Sequence, residues 1–110
     1  MREQTSACGV TKSLSIIGKK WRIEILWQLS YHSVLRYNAL KRELDGITNT
    51  TLNRALEDLQ KYKLISRKEF EVIPPHVEYS LTKEGKKLIP ALEIINNWGH
   101  EMMEKGIGTE

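Results

Sequence analysis

The residues best equipped for chemistry in this chain fall in one short stretch: Thr48, Asn49, Thr50, Thr51, Asn53 and Arg54. Asparagine can present a donor and an acceptor together to an adenine edge, and arginine can present two donors to guanine. Short hydroxyl side chains can take phosphate oxygens. Their spacing matters as much as their type. Leu52, Ala55, Leu56 and Leu59 recur at i, i+3, i+4 and i+7, the pattern of one buried helical face. A helix capped by Thr48 and reaching about Tyr62 therefore turns Asn49, Thr50, Asn53, Arg54 and Glu57 outward. Its N-terminus adds unpaired amides and the positive end of the dipole, both suited to phosphate. The plain alternative is a solvated face in which Thr48 serves only as a cap.

A second group of cations lies further along. Arg67 and Lys68 sit on a strand before Pro74-Pro75, and His76 follows that turn. Cations on a hairpin can displace counterions from a phosphate backbone. They can equally be strand-edge charges that block aggregation, and Glu69, Glu71 and Glu78 dilute the patch. Arg36, Lys41 and Arg42 could clamp a flanking backbone or form an ordinary solvated surface. Cys8 stands apart, close to the start of a first helix, where the dipole favours a thiolate, with Lys12 one turn on. Such a thiolate suits an oxidant or electrophile sensor, acting through an intersubunit disulfide among other routes. A lone cysteine also serves as a small buried hydrophobe. His32, His76 and His100 are scattered, and no metal-ligand spacing, nucleophile–base pair or phosphate-cradling glycine loop accompanies them. No enzyme, metal or cofactor is expected.

The elements that must position these residues follow from periodicity and punctuation. Val10, Leu14 and Ile17 predict a helix over 10–17 that ends at Gly18. Trp21, Ile25 and Leu29, widened by Ile23, Leu26 and Trp27, predict a core helix over about 20–29. Residues 33–36 are short and extended, and a third helix covers about 37–44 before Asp45-Gly46. After the Thr48 helix, 64–73 and 77–81 read as the two strands of a hairpin around Pro74-Pro75. Thr82 caps a last helix through Leu88, Leu92, Ile95 and Trp98 to Gly99, with a kink or restart at Pro90. The order predicts a mainly α fold with a β-hairpin wing, a winged helix-turn-helix, forming one domain over 1–110. The apolar stripe of the last helix is left over once that unit is complete. Helices at about 8–18 and 82–105 are therefore the expected dimer surface, with Trp21, Trp27 and Trp98 as core or interface aromatics.

Composition sets the outer limits. The 110 residues are 40% hydrophobic and 28% charged, which fits one folded domain and excludes a disordered chain. A formal net charge of +3 is compatible with a polyanionic partner without demanding one. One cysteine permits no intrachain disulfide, and no apolar run has the length of a signal peptide or membrane span. The expectation is a cytoplasmic protein without a membrane partner.

Several ordered motifs together resemble the HxlR-type branch of winged helix-turn-helix regulators, relatives of the MarR group. They are Cys8, then Ile16-Ile17-Gly18-Lys19-Lys20-Trp21 with Ile25-Leu26, then Gly46-Ile47-Thr48 leading into Leu52, Leu56 and Leu59. Leu64-Ile65-Ser66-Arg67, Pro74-Pro75-His76-Val77-Glu78-Tyr79-Ser80-Leu81-Thr82 with Gly85, and Asn97-Trp98-Gly99 complete the set. The resemblance implies a homodimer that binds double-stranded DNA through the helix starting at Thr48 and through the wing. It also implies that the cysteine matching Cys8 senses electrophiles or oxidants in some members. The family usually carries Arg where this chain has His76, and a neutral imidazole attracts phosphate less than a guanidinium does. A winged helix can instead serve as a protein-interaction module without DNA binding. That alternative requires apolar residues on the leading turn of the fourth helix.

Overall fold

Leu52, Ala55, Leu56 and Leu59 are all buried, and they define the inner face of one helix, α4 (Asn49–Lys61). The computed structural model describes residues 8–108; residues 1–7 and 109–110 of the domain expected over 1–110 lie outside the described residues. Ahead of α4 come α1 (Gly9–Ile17), α2 (Arg22–His32), β1 (Val34–Arg36) and α3 (Tyr37–Glu43). After it come β2 (Ile65–Phe70), β3 (His76–Leu81), α5 (Lys83–Lys86) and α6 (Ile89–Glu104). This is a winged helix-turn-helix, mainly α with a small antiparallel sheet, as the element order implies.

The largest fully buried side chains are Ile25, Leu26 and Leu29 of α2, Leu40 of α3, and Leu52, Leu56 and Leu59 of α4. Tyr79 and Leu81 of β3 close the same core from the sheet side, and Leu92 of α6 from below. The α2 stripe read from the sequence is therefore central. Its helix begins later than expected, because Trp21 adopts a left-handed backbone (φ 81°) and makes the corner between α1 and α2.

The sheet has the order β1-β3-β2. In the hairpin, Ile65 faces Leu81 and Phe70 faces His76, the last pair. The expected strand over 64–73 thus ends early. Residues 71–75 form an exposed tip, and Pro74 and Pro75 have no N–H to extend the ladder. β1 adds Leu35 opposite Tyr79 and Arg36 opposite Glu78.

The last helical segment resolves into a restart rather than a kink. Thr82 caps the short α5, and α6 begins anew with Pro90 in its first turn, where a missing N–H costs nothing. α6 then continues past Gly99 to Glu104. Among the described residues, no helix is long and apolar enough to cross a membrane.

Candidate nucleic-acid interface

The geometry of α4 starts with its cap. The Thr48 hydroxyl accepts from the Thr51 N–H at 3.2 Å and donates to the Thr51 hydroxyl at 3.0 Å. Thr48 is thus occupied by the cap and serves first to fix where the helix begins. Just inside that start, Asn49, Thr50, Thr51, Asn53 and Arg54 are exposed, while the leucines behind them are buried. No apolar side chain stands on this leading face. Thr50, Asn53 and Arg54 have no side-chain partner among the described residues. Asn49 differs, because its Oδ1 accepts from the Tyr37 hydroxyl at 3.1 Å.

Strand pleating separates the hairpin residues. Successive side chains point to opposite faces, so Arg67 and Lys68 cannot project together. Arg67 is opposite Tyr79 and lines a groove with Asn53, Glu57 and Gln60 of α4. It forms an ion pair with Glu69. That bond, and then Tyr79, hold its guanidinium above the ordinary arginine range. Lys68 lies on the other sheet face, where the register places Glu78 between Lys68 and Arg36. Its ammonium sits 5.0 Å from the centre of the Phe70 ring.

His76 is not a free tip residue. It opens β3, stacks on Phe70 with centroids 4.6 Å apart and planes 13° off parallel, and brings Nε2 to 3.2 Å from Glu78 Oε2. The tip itself is Val72-Ile73-Pro74-Pro75, with Ile73 fully exposed. Arg36 and Arg42 line a groove against Pro74, Pro75 and His76, with Tyr37 on its wall. The structure therefore gathers Asn49, Thr50, Asn53 and Arg54 on one face, sets Arg67 beside that face, and places Arg36 with His76 near the wing. Lys68 is on the far side of the sheet. Tyr37 was missed in the sequence reading, because only the tertiary approach of α3 to α4 brings its hydroxyl to this surface.

Cys8 is the N-cap residue of α1 and is exposed. The backbone amides of Thr11 and Val10, and then the Thr11 hydroxyl, hold its thiol below the ordinary cysteine pKa. The expected contribution of Lys12 is replaced by these helix-terminal amides. Val10 and Leu14 of α1 are exposed, as are Ile94, Ile95, Trp98 and Met103 of α6. Among the described residues, no group of His, Cys, Asp or Glu could hold a metal ion.

Comparison with known proteins fits this arrangement. The family described as HxlR-like helix-turn-helix matches residues 16–107. MalR of Fusobacterium mortiferum is 42% identical over 100 residues, covering 91% of this chain and 94% of its own. A crystal structure from Porphyromonas gingivalis W83, assigned to the MarR family, superposes with a TM-score of 0.82 at 35% identity, covering 92% of this chain and 98% of its own. The redox regulator HypR in its oxidized form superposes with a TM-score of 0.80 at 31% identity, covering 86% of this chain and 96% of its own.

Proposed function

Because the chain belongs to the HxlR-like helix-turn-helix family, we propose that it is a cytoplasmic transcription regulator that binds duplex DNA as a homodimer. The observation that carries this reading is the leading face of α4. Its exposed residues are hydroxyls, amides and one guanidinium, held at a capped helix N-terminus by a fully buried leucine face. That is the chemistry of a helix laid into a major groove with its N-terminal turns leading. Asn53 and Arg54 read base edges, and Thr50 and the first amides take phosphate. Arg36 and Arg67 contact the flanking backbone from either side of the wing. Lys68 and His76 contribute less, through the field of the hairpin more than through direct contact. The absence of apolar residues from this face argues against the protein-interaction module.

The dimer forms through α1 and the α5–α6 region, close to the 8–18 and 82–105 segments read from the sequence. Ile94, Ile95 and Trp98 lie within two helical turns of α6 and are 49–69% exposed, an arrangement suited to a second copy of the same surface. Two α4 helices related in this way meet half-sites about one helical turn apart.

The regulator responds to oxidants or electrophiles through Cys8. Its exposed thiol and its amide-lowered pKa raise the thiolate fraction, and the similarity to a redox regulator supports the same reading.

Fluorescence anisotropy on a duplex selected from a random pool tests the central claim. Binding should fall steeply as salt rises. Arg54→Ala and Asn53→Ala should each weaken the selected duplex by about tenfold while non-specific binding changes little. Unchanged specific binding in both variants would remove α4 from the groove.

A further inference from the structure

Arg54 and Asp58 are four residues apart on α4, so their side chains leave neighbouring points of the helix surface. A carboxylate in that position is a natural partner for an exposed guanidinium, yet the two are not paired. Asp58 Oδ2 accepts instead from Arg22 Nη2 at 2.7 Å, and among the described residues Arg54 has no ion-pair partner. Arg22 is well fixed for this hold. It is the first residue of α2 and is buried. Its Nη1 donates to the Ile16 carbonyl at 2.6 Å, and its guanidinium lies 5.4 Å from the centre of the Tyr62 ring. Asp58 is only partly covered, so the arginine is the anchored member of the pair. Glu57, the other acid within a turn of Arg54, lies on the opposite flank, in the groove lined by Asn53, Gln60 and Arg67.

We propose that Arg22 is a positioning residue for the DNA-reading helix: by holding Asp58 it keeps the Arg54 guanidinium free for the duplex. Arg22 itself need not touch DNA. Without it, the Asp58 carboxylate is released beside Arg54 and pairs with it along the helix. That pair must then be broken before the guanidinium can present two donors to a guanine edge. Asp58 stands in the second half of α4, behind the N-terminal turns that lead into the groove, so its effect on the duplex is felt through Arg54. An exposed pair of this kind is weak, and the effect on affinity is about threefold. The carboxylate that helps to hold α2 against α4 is thus also the one that has to be kept away from the reading side chain.

This inference rests on the DNA-binding reading, and the test keeps the two separable. Fluorescence anisotropy on the selected duplex compares wild type, Arg22→Met, Arg22→Met/Asp58→Asn, Arg54→Ala and Arg22→Met/Arg54→Ala. Circular dichroism first checks that each has native helical content. Arg22→Met should weaken binding about threefold. Asp58→Asn removes the competing charge and should restore wild-type affinity, which it would not do if Arg22 served the fold alone. With Arg54 already gone, Arg22→Met should cost nothing further. Where Arg22→Met does not fold, Arg22→Gln, a polar chain without the charge, takes its place in the same comparison. Wild-type affinity in the Arg22 variant would overturn its role and leave DNA binding standing. So would a loss that Asp58→Asn does not recover, or one that persists undiminished without Arg54. Failure of wild type to bind any duplex would overturn the DNA-binding reading, and this inference with it.

Discussion

Arg22 Nη2 donates to Asp58 Oδ2 at 2.7 Å, joining the start of α2 to the second half of α4. The same guanidinium donates through Nη1 to the Ile16 carbonyl at 2.6 Å and lies 5.4 Å from the centre of the Tyr62 ring. Arg22 is only 4% exposed and Asp58 is 31% exposed, so the arginine carries most of the burial. Removing the carboxylate strands a buried charge. Asp58→Ala should cost about 2 kcal/mol, less than a fully buried pair because water reaches Asp58. Replacing both partners by apolar chains removes the desolvation penalty as well, so Arg22→Met/Asp58→Leu should lie within about 1 kcal/mol of wild type. Urea unfolding at one fixed protein concentration checks both values and keeps any self-association out of the comparison.

The two threonine caps should differ in worth. Thr48 satisfies one helical amide, so Thr48→Ala should cost about 1 kcal/mol. Thr82 accepts from the Gly85 N–H at 3.1 Å and also donates to the Lys63 carbonyl at 2.6 Å, tying α5 to the end of the helix-turn-helix. Thr82→Ala should cost about 2 kcal/mol, because the Lys63 backbone carbonyl loses its donor as well, whereas the exposed Thr51 hydroxyl that Thr48 also bonds can turn to water. Serine at either position should recover most of the loss. Equal costs for the two alanine variants would show that the Lys63 contact contributes nothing.

A single methyl group should be more damaging at Gly85. This glycine is buried, and a Cβ there would lie 2.2 Å from the Leu64 carbonyl oxygen, a backbone atom that cannot rotate aside. Gly85→Ala should destabilise by about 2–3 kcal/mol through this overlap. Gly99→Ala meets nothing within 4 Å and should stabilise the isolated fold by about 0.5–1 kcal/mol, since helix interiors favour alanine. Thermal unfolding of both variants checks the contrast.

These sites show what the sequence could and could not disclose. The leucine spacing of α4 and the cap at Thr48 were readable because both are local: four buried positions and one hydroxyl define the helix and its exposed side. The two-faced hairpin was readable in outline, since Val77, Tyr79 and Leu81 alternate with polar residues. Its ends were not, because they depend on register, and Phe70 opposite His76 is the last pair only in the folded sheet. Register also divides Arg67 from Lys68, which look equivalent in sequence. Tyr37 and Arg22 were hidden for one common reason. Their partners Asn49 and Asp58 are 12 and 36 residues away, and nothing in local spacing announces a bond that exists only after helices pack.

The surface assigned to the dimer makes a separate prediction. Trp98 is 61% exposed and Ile94 is 69% exposed on α6, so neither supports the core of one subunit. Trp98→Lys and Ile94→Glu should leave the helical content unchanged. Each should shift the protein from dimer to monomer in sedimentation at micromolar concentration, because a charge is placed inside an apolar contact. A protein that sediments as a dimer in both variants would move the interface elsewhere.

The last prediction concerns the Cys8 thiol. Its pKa is lowered by the amides of Thr11 and Val10, so at a given pH the folded protein holds more thiolate than the unfolded chain. A depressed folded pKa gives a contribution to folding that is present above the unfolded pKa and is lost as pH falls through the folded value. Because the thiol is fully exposed, the effect is best read as reactivity. The rate of alkylation by iodoacetamide should reach half its maximum at a lower pH in the native protein than in the same protein unfolded in urea. Val10→Pro removes one of the two amides from the first turn, a position where α6 already carries Pro90. It should move the native titration back toward higher pH. Lys12→Ala should leave the profile in place, since the shift comes from backbone amides at the helix end. A Lys12→Ala profile displaced as far as that of Val10→Pro would assign the shift to the lysine charge instead.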